Sequence, residues 1–95
     1  MKIFLVHIES ESPSLFSGKN NETIPCKSLE VARKTMRNLV SKFLSEAPKT
    51  YGMDDVNVRK YIDTDNESMF YFHAIGYGSE YYHIEEKEVL EHPYG

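Results

Sequence analysis

Near the end of the chain, His73, His83 and Glu85 are the side chains best suited to chemistry, because two imidazoles and a carboxylate can form an open metal site. They lie in two aromatic-rich runs, within Ser68 to Val89, joined by Gly76-Tyr77-Gly78-Ser79. A three-residue hairpin loop, Tyr77 to Ser79, sets Gly76 opposite Glu80 and His73 opposite His83, with Glu85 or Tyr71 one diagonal away. A two-residue Gly78-Ser79 loop would instead pair Phe72 with Glu85 and set charge against apolar surface, so the longer loop is preferred. No fixed ligand spacing accompanies the histidines, so no metal and no cofactor is assigned.

The same residues have a use that needs no metal. Tyr71, His73, Ile75, Tyr77, Tyr81, His83 and Glu85 have the composition favoured at protein interfaces, where an aromatic ring buries area at little cost in rotamer freedom. A second group, Lys27, Arg33, Lys34, Arg37 and Lys42, could neutralise phosphates of a nucleic acid. No nucleic-acid fold signature goes with it, and the chain as a whole carries a net charge of -4. Residues 48 to 95 hold four basic and ten acidic groups, from Asp54 to Glu91, and such a surface can occupy the positive groove of a larger macromolecule.

Catalytic patterns are thin. Cys26 precedes a helix start, where the helix dipole would favour a thiolate, but a lone cysteine is more often a small buried hydrophobe. Gly76-Tyr77-Gly78 reads as turn glycine rather than a phosphate loop, since no helix follows it. Neither Gly-x-Ser-x-Gly nor His-Glu-x-x-His occurs.

These groups must be positioned by a small number of elements. Lys2 to Glu9 reads as a strand with Phe4, Val6 and Ile8 on one face and Ile3, Leu5 and His7 on the other, as a strand with two apolar neighbourhoods would. Ser10 to Asn21 is rich in Ser, Asn, Gly and Pro and reads as a mobile loop with a short Leu15-Phe16 edge segment. Glu22 to Ile24 reads as a short strand stopped by Pro25. From Ser28 the apolar period becomes helical, through Leu29, Ala32, Met36, Leu39, Val40, Phe43, Leu44 and Ala47, with Ser28 as cap and Pro48 as terminator. Val56 to Ile62 alternates like a strand, and Asp63 to Asn66 reads as a turn before the aromatic hairpin.

With 95 residues the chain is one α+β domain, residues 1–95, with a short tail at 91–95. The pattern predicts one amphipathic helix on one face of a mainly antiparallel four- to five-stranded sheet, in the order β-(β)-α-β-β-β. The helix is expected against Phe70, Phe72, Ala74, Tyr82 and Ile84, leaving Tyr71, His73, Tyr81, His83 and Glu85 on the opposite face. A single cysteine, a start too briefly apolar for a signal peptide and no long apolar run suggest a cytoplasmic protein. The sequons at Asn21 and Asn66 are then chance matches. The functional expectation is a small, acidic, non-catalytic protein-binding module, an inhibitor or regulator, compatible with a homodimer. Nucleic-acid binding through the basic residues is the second expectation, and a metal-dependent or other enzyme the third.

Overall fold

A computed structural model describes residues 1–11 and 19–89 of the chain, the backbone alone being described at residues 19 and 20. Five strands form one sheet: β1 (Lys2–Glu11), β2 (Lys19–Cys26), β3 (Ile62–Asp65), β4 (Met69–Ala74) and β5 (Gly78–Glu88). Their spatial order is β2-β1-β5-β4-β3, and every neighbouring pair is antiparallel. Helix α1 (Leu29–Tyr51) and the short helix α2 (Asp55–Lys60) carry the chain from the β2 edge to the β3 edge. The architecture is α+β in the order expected, and the short second helix is an addition to it. No described helix is long and apolar enough to cross a membrane.

The even-numbered side chains of the sheet make the core with α1. Val6, Phe70, Phe72, Ala74 and Tyr82 are buried against Ala32, Met36, Phe43 and Ala47, which recur on one stripe of the helix. Phe43 sits between Phe72 and Phe70, with ring centroids 4.9 Å and 5.6 Å away. Burying each such ring stabilises the fold by about 2–3 kcal/mol. Ser28 caps α1 by accepting from the Val31 N–H at 3.2 Å.

Four local expectations are corrected. Helix α1 does not stop before Pro48 but runs to Tyr51. Pro48 has no N–H to donate to the Leu44 carbonyl and works against the helix, yet the extra turn packs Tyr51 on Phe43 and Phe72. Gly52, left-handed at φ 66°, then closes the helix by donating to the Pro48 carbonyl.

Second, of the segment Val56 to Ile62 only Ile62 belongs to a strand. Asp54 accepts from the Asn57 N–H at 2.8 Å and starts α2, which turns Val58 inward and leaves Val56 exposed. Strand β3 therefore begins at Ile62 and takes in Asp63 to Asp65, and the turn moves to residues 66–68. There the Asn66 side chain accepts from the N–H groups of Ser68 and Met69, each at 2.9 Å.

Third, strands β1 and β2 extend into the stretch read as a loop, and β2 passes through Pro25. An edge strand tolerates proline because one side of its backbone has no ladder partner. The proposed Leu15-Phe16 segment and the tail at 91–95 lie outside the described residues.

Finally, the hairpin loop has three residues, but they are residues 75–77, so Ala74 pairs with Gly78 and His73 with Ser79. Gly76 takes the left-handed position at φ 85°, and the Tyr77 N–H donates to the Ala74 carbonyl at 2.9 Å. Relative to a loop at residues 77–79, each β4 residue meets a partner four positions earlier, while the faces keep their parity. His73 and His83 are consequently not opposite one another.

Candidate functional site

In β1, β2, β4 and β5 strand alternation places the odd-numbered side chains on the face turned away from α1, where no described element covers them, while a bulge between Ile62 and Thr64 reverses the parity in β3. Cross-strand register arranges them in rows. One row reads Thr23, His7, His83, Met69 across β2, β1, β5 and β4, and the next reads Asn21, Glu9, Tyr81, Tyr71. Neighbours along a row approach to roughly 5 Å, close enough for rings to touch.

They do touch. The His7 and His83 rings stack with centroids 4.7 Å apart, and Tyr81 meets His83 edge-on at 4.8 Å. Tyr81 continues to Tyr71 at 5.6 Å, and Tyr71 stacks on His73 at 6.1 Å. Five rings thus form an unbroken path over β1, β5 and β4. At the hairpin turn Ile75 is 86% exposed and Tyr77 46%.

His7, Glu9 and Thr23 join this face through strands β1 and β2, remote in sequence from the hairpin. His7 Nε2 lies 2.9 Å from a Glu85 carboxylate oxygen, and His7 Nδ1 lies 3.0 Å from the Thr23 hydroxyl. The bond from His7 holds the Glu85 carboxyl below the ordinary carboxylate range, helped by the nearby charges of His7, Lys87 and His83 and opposed by desolvation. His83 is shifted below its ordinary value of 6.5, by burial first and by His7 second, against the pull of Glu9 and Glu85. Its Nδ1 is enclosed and has no hydrogen-bond partner among the described residues.

Thr23, His7 and Glu85 form a hydroxyl–imidazole–carboxylate line, the arrangement used by acyl-transfer nucleophiles. A reacting group also needs a concave wall and donors for a developing oxyanion. The neighbouring cleft, about 400 Å³, is lined by Glu9, Glu11, Tyr71, Tyr81, Asn21 and Ser79 and by none of the three. Its carboxylates would repel an oxyanion. The line is better understood as a polar tie between β2, β1 and β5. Among the described residues, no group of three or more His, Cys, Asp or Glu side chains is arranged to hold a metal ion, so His73, His83 and Glu85 do not form the site that the earlier register allowed.

The remaining candidates are dispersed. Along α1, at about 100° per residue, Arg33, Arg37, Lys34 and Lys42 fan out over roughly half the circumference, and Lys27 precedes the helix. Arg33 pairs with Glu67 at 3.4 Å, and Arg33 and Arg37 line a groove that also contains Asp65. Acidic residues also divide: Glu86 pairs with Lys2 at 3.7 Å, while Glu80 accepts from Ser10 and Tyr82 at 2.7 Å and 2.9 Å. Burial first, and Glu80 second, push the Tyr82 phenol far above its ordinary value and keep it a donor. Cys26 is buried at the end of β2, with its thiol near the Ile24 carbonyl.

No protein family, curated protein or solved structure matches the chain.

Proposed function

We propose that this protein is a small, non-catalytic binding module of the cytoplasm whose open sheet face contacts a protein partner. The observation that carries the reading is the five-ring path from His7 to His73 on a face without a described cover. Aromatic residues contribute disproportionately to protein contacts, and a partner would remove from water a surface that the fold leaves half-exposed. Inhibition or regulation of a larger macromolecule fits a domain whose last half is strongly acidic.

The test uses the purified chain as bait in native lysate treated with nuclease, followed by affinity measurement on any stoichiometric partner. Replacing Tyr71 and Tyr81 together by Ala should weaken that affinity about thirtyfold or more while the domain stays folded. Charge reversal at Arg33, Lys34 and Arg37 should leave it unchanged. Recovery of nucleic acid instead, with binding that falls steeply as salt rises, would overturn the proposal in favour of the basic residues. Light scattering on the purified chain tests whether a second copy occupies the face.

A further inference from the structure

The cleft on the open face combines two features that together select a cation. Glu9 and Glu11 are its charged lining residues among those whose side chains are described, and Tyr71 and Tyr81 supply ring faces tilted by 59° to one another. The register makes the combination local: Glu9 pairs with Tyr81 on one side and Asn21 on the other, Tyr81 pairs with Tyr71, and Glu11 pairs with Ser79 and Lys19 in the adjoining position, so Glu9 is the carboxylate that faces neutral residues on both sides. A cation set over a tyrosine ring is drawn by the negative face of the π-system and lies within reach of the neighbouring carboxylate. The volume, about 400 Å³, falls in the range of roughly 300–1,000 Å³ typical of small-ligand clefts.

We infer that this cleft receives an arginine side chain from a partner protein, its guanidinium stacked on Tyr81 or Tyr71 and bonded to Glu9, with Glu11 adding to the negative potential beside it. Arginine is favoured over lysine because a planar guanidinium can stack on a ring and present paired N–H donors to a carboxylate simultaneously, whereas a compact ammonium is more strongly hydrated. The inference rests on the reading of the open face as a contact surface and adds to it the chemistry of the group that arrives there. Carboxylates in the cleft equally disfavour a phosphate or another anion.

The probe is a short peptide with two arginines, compared with versions carrying lysine or neutral, nearly isosteric citrulline. Binding is read by NMR on the full chain at low salt. Shifts centred on Tyr71, Tyr81, Glu9 and Glu11, strongest with arginine, weaker with lysine and absent with citrulline, are expected. The Glu9→Gln, Glu11→Gln double variant should weaken arginine binding at least about fivefold, and Tyr81→Phe, which keeps the ring, should hold it within about twofold. No shift, equal shifts with citrulline, lysine matching arginine, or shifts centred elsewhere would overturn the assignment. Its failure is separable from failure of the contact reading. If a captured partner is retained by the double Gln variant but lost with Tyr71→Ala and Tyr81→Ala, only the arginine assignment falls. If none of these substitutions alters capture, the contact reading falls too.

Discussion

Tyr71 and Phe72 are adjacent in β4, and almost everything that differs between them follows from the face each side chain takes. Phe72 is fully buried against Phe43 and Tyr51, whereas Tyr71 remains partly exposed between Tyr81 and His73. One face has its apolar surface sealed by α1, and the other holds rings of similar size with no described cover. The two faces show that aromatic content alone does not identify a core. Polar groups interleaved with the rings, here His7, Glu9, His83 and Glu85, mark the face that stability did not require to be dry.

The sharpest way to break this contrast is to truncate both rings. Phe72→Ala should destabilise the domain by about 3–5 kcal/mol in urea unfolding, and Tyr71→Ala by less than about 1.5 kcal/mol. Comparable losses would mean that something covers the second face. A smaller effect tests the cover of the first face: Ser28→Ala removes the acceptor at the start of α1 and should cost about 1 kcal/mol without altering the open face. At Gly76, whose φ of 85° disfavours any side chain, Gly76→Ala should cost about 1 kcal/mol and shift resonances at the turn rather than at the helix.

The shallowest expected effect is with pH. Because His83 is depressed in the folded state, the unfolded chain takes up a proton more readily, so stability should decline as pH falls from about 7 through 6.5 and below. Glu85 is also depressed, and its contribution, present above its unfolded value of 4.5, is lost as pH falls through its lower folded value. His83→Phe should flatten the upper window and Glu85→Gln the lower one. Unchanged slopes would place the acid sensitivity elsewhere in the molecule.

How much of this was legible depended on how far apart the partners are in sequence. Helix α1 was readable because its buried positions repeat over about four turns, and the two faces of the hairpin because parity survives any even shift in register. The register itself was not, since Gly76 and Gly78 each permit a three-residue loop and differ only in which pairs they create. Val56, Val58 and Ile62 fit a strand by alternation, yet Val58 and Ile62 are also one helical turn apart, and the cap at Asp54 was the signal that could have decided. His7 was placed correctly opposite Val6 and Ile8, but its stacking partner lies in β5, and no local spacing reports a contact between strands so far apart.

The strand at the centre of the sheet is also the last of the five to be synthesised. Hairpins β1–β2 and β3–β4 are each local pairings, but nothing joins them into one sheet until residues 78–88 have left the ribosome and entered between them. Lys2 pairs with Glu88, so the closing contacts span nearly the whole chain and carry a large loop-closure entropy. Folding should therefore be late and cooperative, and a nascent chain halted before Gly78 should expose the flanks of β1 and β4 as unsatisfied sheet edges.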